Sequence, residues 1–127
     1  MCLLDNTSGA AISVRSFLEA VAASGIPCET FTASLFDPQR EVNLRGILGP
    51  KSADPSSLGK IFVVERAGVK HNVFLAKSTQ SKKFTLEETK QYEGAWIRWL
   101  KKNQPRVVVT YGGSPYTLRM QDYARRA

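Results

Sequence analysis

The chain has 127 residues, and 18 lysines and arginines against 11 aspartates and glutamates leave a net charge of +7 with its single histidine neutral. With 43% hydrophobic and 23% charged residues, it can pack one domain, which excludes a disordered, collagenous or disulfide-scaffold chain. The longest apolar runs, residues 61–64 and 107–109, fall far below the about 20 residues needed to cross a bilayer. Asp5, Asn6 and Arg15 interrupt any secretory leader, and Cys2 and Cys28 form neither a CxxC pair nor a disulfide framework. Together these features imply a cytoplasmic protein with reduced thiols.

Residues 2–4 read as the end of a short strand, followed by the loop Asp5-Asn6-Thr7-Ser8-Gly9. Ala11, Val14, Phe17, Leu18, Val21 and Ala22 then recur at helical spacing, and Gly25 is placed to end that helix after Ser24. Residues 28–36 carry Phe31, Ala33 and Leu35 on one side and stop at the turn pair Asp37-Pro38. Strand, helix and strand in this order predict a βαβ unit. Residues 38–59 are broken by proline and glycine and read mostly as loop, with 42–48 a short helix or strand.

Residues 61–65 and 71–76 flank Arg66-Ala67-Gly68-Val69-Lys70 and predict a hairpin with a five-residue connection. Thr85 and Glu88 form a capping box before a helix whose apolar stripe is Tyr92, Trp96, Trp99 and Leu100. That stripe is core rather than a nucleic-acid platform. The helix should stop near Asn103, before Pro105, and the β-branched residues 106–110 predict a buried parallel strand. After Tyr111-Gly112-Gly113-Ser114-Pro115 a last helix runs to Ala127, with Ser114 as its cap and Pro115 as its first residue.

The expected fold is α/β: a three-layer Rossmann-like domain over residues 1–127, with a mostly parallel sheet plus a β-hairpin. A last helix with no strand after it leaves that sheet incomplete at the C-terminus, so the chain reads as the opening part of a longer protein.

In an open α/β sheet, ligands bind where strands end and helices begin. Two loops qualify, Asn6-Thr7-Ser8-Gly9-Ala10 and Tyr111-Gly112-Gly113-Ser114-Pro115. Each is open to two readings, a capped turn or a ligand contact. Neither contains GxGxxG or GxxxxGK[ST], so a standard dinucleotide or Walker phosphate loop is unsupported. One histidine and two distant cysteines argue against a metal centre, and no serine lies in a GxSxG elbow. His71, on a hairpin strand beside Asn72, is either a structural residue or a sugar or proton contact. Lys60, Arg66, Lys70, Lys77, Lys82 and Lys83 make the hairpin region the most basic, as a solvated face or as a surface for an anionic partner. No residue is assigned a catalytic role.

The segment Gly9-Ala10-Ala11-Ile12-Ser13-Val14-Arg15-Ser16-Phe17-Leu18, continuing to Cys28, resembles the first helix and second strand of glycosyltransferases of the two-domain GT-B architecture. Pro105-Arg106-Val107-Val108-Val109-Thr110-Tyr111-Gly112-Gly113-Ser114-Pro115 is similar to a later strand and loop of their N-terminal domain, and the closest resemblance is to family 4. It implies transfer of a sugar, in the hexosyltransferase class, from a nucleotide-sugar donor to an acceptor hydroxyl. The donor is then a substrate, with no cofactor and no metal required.

By the same resemblance this chain is the acceptor-side wall, and a missing C-terminal domain is the partner that binds most of the donor, so the chain alone should be inactive. Family positions near donor phosphate or acceptor fall on Thr7, Ser8 and Gly9 and on Tyr111, Gly112, Gly113 and Ser114, with His71 the sole candidate for a cleft histidine. The alternative is a noncatalytic Rossmann-like module that binds an anionic partner such as nucleic acid through the basic hairpin, although nucleic acid is the less favoured partner.

Overall fold

Ser8 opens the first helix, α1 (Gly9–Ala23), by accepting the Ala11 amide on its side chain, and Gly25 closes it at φ 91° with its amide on the Ala22 carbonyl. Only a residue without a β-carbon adopts that left-handed conformation at little cost. The computed structural model describes residues 1–36, 42–111 and 115–127, with the side chains of 81, 115 and 116 outside that description. The chain divides into two compact units, Met1–Thr85 and Leu86–Ala127.

In the first unit, α1 is followed by β1 (Cys28–Ala33), α2 (Leu44–Leu48), tight helical turns at Pro50–Ala53 and Pro55–Ser57, β2 (Ile61–Arg66) and β3 (Val69–Phe74). The sheet order is β1-β3-β2. β3 runs parallel to β1, with Thr30 opposite His71, and antiparallel to β2, with Val64 opposite His71. The expectation of a mostly parallel sheet is therefore corrected: this is a small mixed open sheet with one parallel and one antiparallel pair. The hairpin causes it. Ala67 and Gly68 both have positive φ, 47° and 78°, which makes a two-residue turn whose twist matches its strands. The connection is thus shorter than the expected five residues, and β3 becomes the central strand.

Residues 2–4 form a turn rather than a strand end, with the Cys2 amide donating to the Leu35 carbonyl at 2.6 Å. Cys2 and Leu4 nevertheless enter the core with Phe36, Leu48, Val73 and Leu75. β1 stops at Ala33, and Phe36 makes only an isolated bridge to Gln80. The turn pair Asp37-Pro38 lies outside the described residues.

The second unit contains α3 (Leu86–Asn103) and α4 (Pro115–Arg126). Trp96 is buried and meets the Tyr123 ring edge-on, with centroids 6.1 Å apart. Arg119 binds Glu93 at 2.5 Å, and Asp122 pairs with Arg125 and Arg126. The parallel strand expected at residues 106–110 is the second correction. These residues join no strand among the described residues, and Val107 and Val109 are 77% and 87% exposed. A β-branched run becomes a strand only when a neighbour takes up its backbone hydrogen bonds, and this unit consists of helices. Thr110 is instead bonded by the Gln121 side-chain amide.

Ala67 in the turn and Gln104 after α3, at φ 47° and 43°, occupy conformations that cost a side-chain residue about 1–2 kcal/mol. Ala67→Asn and Gln104→Gly should each raise unfolding free energy by about 0.5–1 kcal/mol in urea titrations. Unchanged or lowered midpoints would contradict the assigned turn and cap geometries.

Candidate functional site

The register of the sheet places Thr30 of β1, Phe62, Val64 and Arg66 of β2, and Val69, His71 and Val73 of β3 on one face. α1 packs on this face in a definable direction. A β-carbon at Gly68 would lie 3.5 Å from that of Ala22, so the last turn of α1 sits beside the turn that precedes β3. Its first turn therefore points toward the carboxyl ends of β1 and β3, consistent with Cys2 reaching Leu35 just beyond β1. The loop Asp5-Asn6-Thr7-Ser8 lies at the edge where open α/β sheets bind ligands.

That loop is internally braced. The buried Asp5 carboxylate accepts the Thr7 amide at 2.7 Å and the Thr7 hydroxyl at 2.6 Å. Ser8 accepts the Ala11 amide on its hydroxyl at 3.4 Å and the Ile12 amide on its carbonyl at 3.0 Å. These bonds satisfy two of the four first-turn donors of α1 and leave those of Gly9 and Ala10 unbonded among the described residues. Gly9 is exposed, and no atom lies within 4 Å of where its β-carbon would stand.

Beneath α1 lies a cluster of polar side chains. Arg15, 5% exposed, donates through Nη1 to the carbonyls of Leu3 at 2.8 Å and Asp5 at 3.4 Å. Glu19 Oε1 lies 3.8 Å from Arg15 Nε and 3.3 Å from Arg66 Nε. That oxygen is buried and has these two ion-pair contacts but no aligned hydrogen bond among the described residues. His71 is fully buried, with Nδ1 3.0 Å from Thr30 Oγ1 and Nε2 without a partner among the described residues. Burial first, then the charges of Arg15 and Arg66 against the opposing effect of Glu19, hold the imidazole below its ordinary 6.5. Burial pushes the Cys2 thiol up, against the opposing effect of a side-chain contact with Thr32.

Thr7, Ser8, Gly9 and His71 all belong to the first unit, and Arg15 connects the loop to the cluster around His71. Tyr111 is exposed in the second unit, and Gly112, Gly113 and Ser114 lie outside the described residues. Arg15, Glu19, Arg66 and Thr30 were not legible as members of a cluster. Phe17, assigned to the buried stripe of α1, is 67% exposed, whereas Arg15 is buried. The signal was the i, i+4 pair Arg15 and Glu19 beside the small residues Ala11 and Ala22, which leave room for a buried guanidinium. In the basic hairpin, Arg66 pairs with Glu19 and Lys70 with Glu29. No helix among the described residues is long and apolar enough to cross a membrane. No family model, curated protein or solved structure matches the chain.

Replacing Arg15 by methionine keeps the bulk and removes two charge-assisted hydrogen bonds, which should lower stability by about 2–3 kcal/mol; a loss under about 0.5 kcal/mol in urea would refute the bracing role. His71 gives stability a pH dependence whose sign follows from its lowered pKa. Above about 6.5 both folded and unfolded chains hold a neutral ring; below it the unfolded chain takes up a proton that the folded one resists. Stability should therefore fall with pH from about 6.5 down to the folded value, by at most about 1.4 kcal/mol per pH unit. Urea unfolding at pH 7.5 and 5.5 should show a larger loss in the parent than in His71→Gln; equal losses would count against it.

Proposed function

We propose that this chain is the acceptor-side, Rossmann-like part of a glycosyltransferase of GT-B type, which transfers a sugar from a nucleotide-sugar donor to an acceptor hydroxyl together with a second, donor-binding domain. The observation that carries this reading is the direction of α1. Its capped N-terminus, with the amides of Gly9 and Ala10 unbonded among the described residues, lies at the carboxyl edge of the parallel pair β1 and β3. A helix start at that edge offers backbone donors and a positive dipole end to phosphate or to sugar hydroxyls. The sequence resemblance over residues 9–28 and 105–115 supports the same reading.

The chemistry favours two closing domains. An activated glycosyl donor hydrolyses unless water is excluded, and one open sheet edge excludes little. In this reading Thr7, Ser8 and Gly9 shape the edge, and Asp5 holds it by fixing Thr7. His71 has no exposed surface, so it acts on the edge through Arg15 and the seating of α1. Tyr111, Gly112, Gly113 and Ser114 are assigned to ligand contact by the resemblance alone.

Gly9→Asp provides the direct test, because the site has room for a side chain and an acidic residue in the first turn suits the helix dipole. The fold should keep its stability, while the whole encoded protein loses about tenfold or more in affinity for a nucleoside diphosphate or in sugar transfer. Unchanged binding and transfer would remove α1 from the site. A reading frame that stops at Ala127 would overturn the two-domain reading. The anionic-module alternative separates by salt, since nucleic-acid binding weakens steeply as salt is added and recognition by a polar cleft does not.

A further inference from the structure

The cluster that seats α1 contains the chain's only histidine, and its geometry has no place for a second proton on that ring. We infer that His71 is a proton-operated latch: when its imidazole is protonated, α1 and the loop before it part from the sheet while β2 and β3 stay paired. The latch is independent of what binds at the edge, although its consequence for a ligand rests on the functional reading above.

The neutral ring satisfies Nδ1 against Thr30 Oγ1 in either tautomer, because a hydroxyl both donates and accepts. Nε2 is buried and has no partner among the described residues. Protonation turns both nitrogens into donors. Thr30 can accept from Nδ1, but Nε2 then carries a proton and part of a charge with no acceptor in place. The groups facing the ring are defined on each side. α1 presents Arg15 and Glu19, and β2 presents Arg66. β1 presents the neutral Thr30, and Arg15 is itself held by the carbonyls of Leu3 and Asp5.

Two cations and one anion therefore surround the imidazole, and Glu19 is already committed to both guanidinia. A third cation there is relieved most directly by letting water in. What yields is decided by the other bonds. β2 and β3 are tied by their ladder and a two-residue turn, whereas no strand ladder ties α1 to the sheet, and its packing there includes the charged cluster of Arg15, Glu19 and Arg66. Opening of α1 is thus a local event that leaves the sheet intact.

The test is hydrogen exchange and ring NMR on the unliganded chain, where a single histidine makes the imidazole signals unambiguous. The ring should titrate below pH 6.5. Between pH 6.5 and that midpoint, exchange of the α1 amides, corrected for intrinsic rates, should rise about tenfold per unit fall in pH, the signature of opening linked to one proton. Amides of Val69–Phe74 should change much less, and in His71→Gln the α1 amides should lose this dependence. A ring that titrates while α1 protection stays constant would mean that Glu19 re-pairs with the imidazolium, and would overturn the latch. So would α1 opening that persists in His71→Gln. Should that variant not fold, Arg66→Gln at the exposed rim of the cluster serves instead: losing one facing cation should raise the ring's midpoint, and an unmoved midpoint counts against the latch. Failure of nucleotide binding in Gly9→Asp leaves all of these readouts untouched, so the two ideas fail separately.

Discussion

A guanidinium kept out of water is the constraint on which the first unit depends. Arg15 is buried under α1, and a buried cation is tolerated only when its donors and its charge are both answered. The carbonyls of Leu3 and Asp5 answer the donors, and Glu19, shared with Arg66, answers the charge. One side chain thereby ties a helix to the segment that precedes it and, through Glu19, to an edge strand of the sheet. If Arg15 were apolar, α1 could still pack, but the segment before it would lose its two side-chain bonds to the helix and keep only the Cys2–Leu35 bond and its core side chains to place it.

The same burial shapes the electrostatics of the candidate site. His71 sits on the central strand, where a ring pressed between strand and helix has no water to stabilise a charge, and the neighbouring guanidinia disfavour that charge further. That environment favours the neutral imidazole over the imidazolium. The candidate edge and the titratable group are therefore at different places along α1: the amides of Gly9 and Ala10 lie at one end and His71 lies beneath its middle. A rigid helix carries a change at one point to its terminus without any chain of side-chain contacts between them.

The second unit is organised by a different force. Trp96 against Tyr123 and Arg119 against Glu93 join α3 to α4, so two amphipathic helices bury their apolar stripes on each other. The valines of residues 107–109 stay exposed because helices offer them no ladder. Their composition is that of a strand, and their surroundings withhold one.

Local signals were readable directly from the residues. Ser8 and Gly25 bracket α1, Pro115 starts α4, and the Tyr92, Trp96 and Leu100 stripe is core, because caps, glycine φ and helical periodicity act within a few residues of chain. The hairpin was visible too, but its exact turn was not: Ala67 in a left-handed conformation is chosen by the pairing of β2 with β3 against its own preference. Sheet order, the burial of Arg15 in place of Phe17, and the failure of residues 106–110 to become a strand were settled by tertiary structure alone. Each depends on which distant groups are present to accept a hydrogen bond, oppose a charge or cover an apolar surface, and a linear spacing of residue types carries no record of those partners.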